Sequence, residues 1–207
     1  RYAQALDRLR EMDLVYPCFL TRAELAEVLS APHEPPTATD VVLSADEAAR
    51  RAGSGMAPAW RLRTAKALEL AESPTWLDLR TGSRRSVDMS AHGDVIVARR
   101  DIRTSYHLSV VVDDMIDGVT LVTRGMDLED STHVHRLLQA ILEIPAPAYY
   151  HHDLVCDEDG QRLAKRHDAL SISELRQSGL SAKEILSCLP DFAETAIISS
   201  DCSVFSN

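Results

Sequence analysis

The chain has 207 residues, of which 45% are hydrophobic and 26% are charged, and its formal net charge is -10. This composition is typical of a globular protein with enough apolar side chains for a core. The acidic balance argues against non-specific nucleic-acid binding, although arginines cluster locally between residues 61 and 103 and still permit tRNA as a partner. The sequence has no run of 18 apolar residues, so no membrane-spanning helix is expected.

The first part of the chain shows helical patterns separated by loops. Apolar residues at helical spacing predict an opening helix over RYAQALDRLREM, and the Tyr-Pro pair that follows is expected to end it. Thr21 with Glu24, and Ser44 with Glu47, have the spacing of a helix-capping box. Each pair therefore predicts the start of a further helix.

Strand patterns begin near Trp60 and continue into the second half of the chain. Asp94–Arg99 and Tyr106–Val112 are rich in β-branched residues, and the VVV run is typical of a strand buried on both faces of a parallel sheet. Another short strand, VTLVTR, is expected after Gly118. The apolar stripe that follows Ser131 predicts a helix.

These patterns predict four parts. Residues 1–93 are interpreted as the end of a first half-domain with a small α+β insertion. Residues 94–170 alternate strands and helices and are interpreted as half of a parallel α/β core. Two capped helices are expected within residues 171–192, as a helical appendix, and residues 193–207 have no assigned structure.

Five ordered segments carry a family resemblance. SYHLSVVVDD, GVTLVTRG, DLEDST, PAPAYYHH and DGQRLAKR follow one another before residue 167. In this order they resemble the second half of the class I glutamyl-tRNA synthetase catalytic domain, and the last resembles that family's KLSKS loop. The opening YAQALDRLREMDLVYPCFLTRAEL also resembles the family. The resemblance implies an α/β fold, namely the C-terminal part of a Rossmann-like catalytic domain.

Within that family, VVVDD and THVHRLLQ look most like the shortened glutamyl-queuosine tRNA(Asp) synthetases. This resemblance implies ATP-dependent activation of L-glutamate, with magnesium accompanying the ATP, and transfer onto the queuosine base of tRNA(Asp). It also implies a cytoplasmic enzyme with no membrane partner, monomeric if complete.

The resemblance assigns roles to individual residues. Arg124, in LVTRG, matches the family arginine that pairs with the substrate carboxylate, and Tyr106 matches the tyrosine that lines the glutamate pocket. Lys165 matches the second lysine of the KLSKS loop and is the expected catalytic residue, because it would stabilise the departing pyrophosphate. Arg162, Leu163 and Lys165 are together expected to bind ATP.

Several family features are missing. Ala164 stands where the loop has a serine, and no HIGH motif is found, so the N-terminal half of the catalytic domain is expected to be absent from this chain. Cys18 alone remains where the family often carries several zinc ligands. One thiolate cannot hold a tetrahedral zinc, so no zinc is expected.

Other polar groups are interpreted as structural. Asp113 and Asp114 would point to opposite faces of a strand and could not share one ion. His133, His135 and the His151-His152 pair lack partners at metal-ligand spacing. No metal site is therefore predicted.

Two alternatives remain open. The chain could be a piece of an ordinary glutamyl-tRNA synthetase catalytic domain. It could also be a degenerate, non-catalytic relative, which Ala164 and the missing HIGH motif favour.

Overall fold

The computed structural model describes residues 1–21, 24, 43–156 and 171–187. Within these residues the structure mixes helices and strands, with one short 3-10 turn at Met126–Leu128. The elements in chain order are α1 (Tyr2–Glu11), β1 (Val15–Cys18), α2 (Ala45–Gly53), β2 (Ala59–Leu62), α3 (Thr64–Leu70), β3 (Thr75–Asp78), β4 (Ser83–Ser86), β5 (Ile96–Ala98), α4 (Tyr106–Ile116), β6 (Leu121–Gly125), α5 (Glu129–Ile141), β7 (Ala148–His152), α6 (Ile172–Gln177) and α7 (Ala182–Ser187). No helix in these segments is long and apolar enough to cross a membrane.

The chain divides into two compact units. The first comprises Arg1–Val122 and Asp130–Tyr149, and the second comprises Thr123–Glu129 and Tyr150–Asn207. The division at residues 93 and 94 that the sequence suggests stays a prediction.

A three-stranded antiparallel sheet of order β1-β2-β5 lies in the first unit. Pro17 of β1 lies opposite Trp60 of β2. A proline has no N–H to donate and is tolerated because β1 is an edge strand. The predicted opening helix is present but ends at Glu11, and the Tyr-Pro pair that was expected to end it belongs to a strand that the sequence did not reveal.

Asp94 ties this sheet to the start of α3. Its carboxylate accepts hydrogen bonds from Tyr16 Oη at 3.0 Å and from the backbone N–H of Thr64 at 2.9 Å. Arg61 Nη1 donates to the backbone carbonyl of Asp94. Burial, with the neighbouring Asp94 carboxylate, raises the pKa of Tyr16, so its phenol stays protonated and keeps donating.

Arg51 of α2 forms hydrogen bonds to the segment that follows β1. It donates to Glu24 Oε1 at 2.7 Å, to Glu47 Oε1 at 2.7 Å and to the carbonyl of Phe19 at 3.1 Å. The Arg51 contact, with help from Thr21, lowers the pKa of Glu24 to about 2. Thr21 and Glu24 exchange the two hydrogen bonds of the predicted capping box, and Ser44 caps α2.

The second sheet has the order β4-β3-β7-β6. β3 and β7 are parallel, with Leu77 opposite Ala148 and Asp78 opposite Tyr149, whereas β3 and β4 are antiparallel. The structure therefore contains parallel strands, as the predicted α/β fold requires, although the sequence did not predict that β3 pairs with β7. In the first unit, Trp76 is fully buried and meets the Tyr149 ring edge-on at 5.7 Å between ring centroids.

The strand predicted at Tyr106–Val112 is wrong, because these residues begin helix α4. Ser105 caps the helix by accepting from the backbone N–H of Leu108 at 3.2 Å. Leu108, Val111 and Val112 are buried on one helical face, where they pack in the main core. Burial of that face outweighs the weak helix propensity of the valines.

The other helices of the second half agree with their sequence patterns. α5 begins two residues before the expected start at Ser131, and its buried stripe contains Val134, Leu137, Leu138 and Ile141. The capping box predicted at Ser171 and Glu174 is present at α6, and Ser181 with Glu184 makes the same contacts at α7.

Candidate functional site

Tyr106 occupies the first position of α4, directly after the cap residue Ser105. Its side chain is about half exposed, and its ring meets the His135 ring at 5.4 Å between centroids. A tyrosine at a helix start, held by one ring edge and open on another side, can offer its hydroxyl to a ligand. The structure puts Tyr106 on a helix rather than on the strand that the sequence suggested.

Two histidines meet beside Tyr106. His107 Nδ1 lies 3.1 Å from His135 Nε2, and His135 is 1% exposed. One of these nitrogens must carry a proton and the other must not. Sequence spacing gave no sign of this contact, because the histidines belong to different helices.

His133 has a different role in the same unit. The backbone N–H of Asp88 donates to His133 Nδ1 at 3.0 Å, and burial lowers the pKa of His133, which favours the neutral ring that can accept this bond. This contact is consistent with the structural role that the sequence suggested.

Arg124 lies near the end of β6, in the second unit, and His151 lies on β7 of the same unit. Arg124 Nε donates to His151 Nε2 at 3.3 Å. His151 is 2% exposed, and the arginine is partly buried. A planar guanidinium fixed in this way is suited to binding a carboxylate through two nitrogens.

Gly125 follows Arg124 at a position with no room for a side chain. A Cβ atom there would meet Asp127 Oδ1 at far less than contact distance and Leu154 Cδ2 at 2.9 Å. The glycine thus lets the chain turn closely from β6 into the 3-10 turn that begins at Met126.

The loop predicted to bind ATP lies outside the described residues. Arg162, Leu163, Ala164 and Lys165 all fall between residues 157 and 170, so their assignments stay predictions.

The acidic pair belongs to a helix, so the strand argument for it was wrong. Asp113 accepts from Tyr2 Oη at 2.8 and 2.6 Å and forms an ion pair with Arg1 at 3.2 Å. These contacts join α4 to α1 and give Asp113 a packing role.

Across the described ranges, no group of three or more His, Cys, Asp or Glu side chains could hold a metal ion. Cys18 is buried as a thiol there, so the described residues near it do not fit a zinc site.

A comparison with known families covers almost the whole chain. The family model described as tRNA synthetases class I (E and Q), catalytic domain, matches residues 2–195. The chain belongs to this family of aminoacyl-tRNA synthetases. The members of this family are ligases that use ATP.

Several curated proteins of one name are similar in sequence to this chain. The glutamyl-Q tRNA(Asp) synthetase of Rhodobacter capsulatus is 40% identical over 198 residues, which cover 89% of this chain and 69% of that protein. The proteins of the same name from Nocardia farcinica and Nitratidesulfovibrio vulgaris are 39% and 37% identical, covering 92% and 94% of this chain. This chain covers 60% and 62% of their lengths. The chain thus spans roughly two thirds or less of these relatives.

Solved structures share the fold. A glutamate tRNA ligase from Elizabethkingia meningosepticum, in complex with its amino acid, superposes with a TM-score of 0.68 at 18% identity, covering 98% of this chain and 46% of that chain. The glutamate-tRNA synthetase of Elizabethkingia anophelis gives 0.62 at 20% identity, covering 86% and 36%. These matches confirm the predicted α/β synthetase fold.

Proposed function

We propose that the enzyme to which this chain contributes activates L-glutamate with ATP and transfers it to the queuosine base of tRNA(Asp). The observation that carries the proposal is the 37–40% identity to relatives that share the name glutamyl-Q tRNA(Asp) synthetase. The site geometry supplies a partly buried arginine suited to the substrate carboxylate.

Arg124 binds the side-chain carboxylate of glutamate in this proposal. Its guanidinium is held by His151 through Nε, and the two terminal nitrogens have the spacing of a carboxylate's oxygens. From the family resemblance, Tyr106 at the start of α4 is proposed as a residue that offers its phenolic O–H to glutamate. A fixed positive charge favours glutamate over the neutral amide of glutamine.

The chemical step is attack of the substrate α-carboxylate on the α-phosphate of ATP. The new carboxyl–phosphate bond forms as the bond to pyrophosphate breaks, and negative charge grows on the leaving group. Lys165, with Arg162 and Leu163 in the same loop, is proposed to bind ATP and stabilise that charge. Ala164 stands where the family's motif has a serine, so this chain lacks that hydroxyl.

The remaining expectations follow from the family and stay proposals. The complete enzyme acts as a monomer in the cytoplasm and uses magnesium with ATP but no zinc. Its partner is tRNA(Asp) rather than a tRNA that accepts glutamate at its 3′ end.

The test is glutamate-dependent exchange of pyrophosphate into ATP. The 207-residue chain is compared with a joined protein, in which the N-terminal half of a family member that carries the HIGH motif precedes it. Exchange by the joined protein and none by the chain alone supports the proposal. No exchange by either protein, with both folded, favours the degenerate alternative and makes Ala164 the first residue to restore to serine.

A further inference from the structure

Two arginines of the first unit meet at Thr75, the first residue of β3. Arg136, on α5, donates from Nε to the backbone carbonyl of Thr75 at 2.7 Å. Arg84, on β4, donates from Nη1 to the Thr75 hydroxyl at 3.4 Å. Two guanidinium groups are thus brought to one residue from different elements, and their like charges repel each other.

The chain supplies no counter-charge for this pair among its described residues. Acidic residues outnumber Lys and Arg by 32 to 22, and Arg51 and Arg99 both form ion pairs with carboxylates. Within the described segments, however, neither Arg84 nor Arg136 pairs with a carboxylate, and Nη1 of Arg136 is buried without a hydrogen-bond partner. The hydrogen-bonding capacity of these cations is therefore only partly used.

The positive charge of Arg136 is held in an unfavourable environment. Burial lowers the pKa of Arg136, and the neighbouring charge of Arg84 acts in the same direction. An arginine nevertheless stays protonated at neutral pH, so the cost is not relieved by loss of a proton. An anion beside both guanidinium groups would relieve it. Arg84 is exposed and Arg136 is only partly buried, so such a ligand can approach from solvent.

We propose that Arg84, Arg136 and the Thr75 hydroxyl form a binding site for a phosphate group. The planar fork of a guanidinium matches the spacing of phosphate oxygens, and two such groups offset the charge of a phosphate. The Thr75 hydroxyl accepts from Arg84 and keeps its own hydrogen for a phosphate oxygen. None of the residues proposed to bind glutamate or ATP takes part, so the inference goes beyond the proposed function.

The first readout is NMR of the arginine Nε–H groups in the 207-residue chain, titrated with inorganic phosphate at constant ionic strength. The signals of Arg84 and Arg136 are expected to shift together and to saturate, whereas that of Arg51 stays in place. Arg84→Gln removes an exposed charge and is expected to weaken phosphate binding about three- to fivefold. Arg136→Gln removes a partly buried one and is expected to weaken it about tenfold or more.

The second readout distinguishes an RNA phosphate from free phosphate. Binding of a tRNA(Asp) transcript to the same chain is measured by fluorescence anisotropy over a series of KCl concentrations. If the site holds a phosphate of the RNA backbone, Arg84→Gln reduces the slope of log affinity against log salt by about one. Arg50→Gln is the matched control, because it removes an exposed arginine charge from α2 and is expected to leave the slope unchanged.

The outcomes separate the site from its ligand. Phosphate-dependent shifts that weaken in the variants support the site, and a reduced salt slope assigns it to RNA, whereas an unchanged slope assigns it to free phosphate. No shift at Arg84 and Arg136, together with an unchanged slope, overturns the proposal, as does an equal change of slope in Arg50→Gln. If Arg136→Gln does not fold, the exposed Arg84→Gln decides alone. Neither readout uses glutamate or ATP, so failure of the site leaves the proposed function standing, and failure of the exchange assay leaves the site standing.

Discussion

Replacing Asp94 by alanine tests how the small sheet of the first unit is held to α3. The change removes the acceptor of two donors: the Tyr16 hydroxyl and the Thr64 backbone N–H. Tyr16 is 4% exposed and Thr64 is 6% exposed, so water does not readily replace the lost partner. A buried donor left without an acceptor costs about 1–3 kcal/mol, which gives about 2–6 kcal/mol for Asp94→Ala.

Urea unfolding of the 207-residue chain, followed by circular dichroism, measures this loss. Asp94→Asn keeps one carbonyl oxygen and is expected to lose less stability than Asp94→Ala. Tyr16→Phe removes one of the two donors, so it is expected to cost less in the Asp94→Ala background than in the wild type. The expected coupling between the two positions is about 0.5–3 kcal/mol. Additivity of the two changes, or a cost of Asp94→Ala below about 1 kcal/mol, would refute the reasoning.

Three further predictions follow from other sites. Arg124→Ala in the joined protein is expected to cost about 2–5 kcal/mol in glutamate activation, roughly 30-fold or more, with ATP binding retained. Arg124→Lys is the matched control, because it keeps the charge but loses the planar guanidinium. An unchanged glutamate kcat/KM in both variants would remove Arg124 from the site. The contact with Arg51 lowers the pKa of Glu24 from 4.5 to about 2 in the folded chain, so the Glu24–Arg51 ion pair stabilises the fold fully above about pH 4.5 and is lost as the pH falls toward 2. The difference in Tm between wild type and Arg51→Met is therefore expected to shrink as the pH falls over that range. A constant difference would contradict this argument. Elemental analysis of the purified chain should find far less than one zinc per chain, and stoichiometric zinc would overturn the assignment of Cys18 as a plain thiol.

Patterns over a few neighbouring residues predicted the helix starts and the helix that depend on those residues alone. The capping boxes at Thr21 and Ser171 were visible because cap and partner lie three residues apart, and both are present. The stripe of α5 was visible because its apolar residues recur at helical spacing. Family motifs predicted the α/β synthetase fold, which the structural matches confirm.

The failures have a common physical origin in long-range packing. The valine run of α4 has the composition of a strand, yet burial of Leu108, Val111 and Val112 on one face makes it a helix. Likewise, Arg124 and His151 lie 27 positions apart and meet because β6 and β7 belong to one sheet. No local pattern encodes that contact, so the sequence identified Arg124 by resemblance and missed its partner.

The most direct measurement of the central claim is the transfer of radiolabelled glutamate by the joined protein to purified tRNAs. Matched substrates are tRNA(Asp) with queuosine, the same tRNA with guanosine at that position, and tRNA(Glu). The account predicts ATP-dependent labelling of the queuosine-bearing tRNA(Asp), with background levels on the other two. Labelling of tRNA(Glu) in its place would contradict the account and identify the chain as part of an ordinary glutamyl-tRNA synthetase.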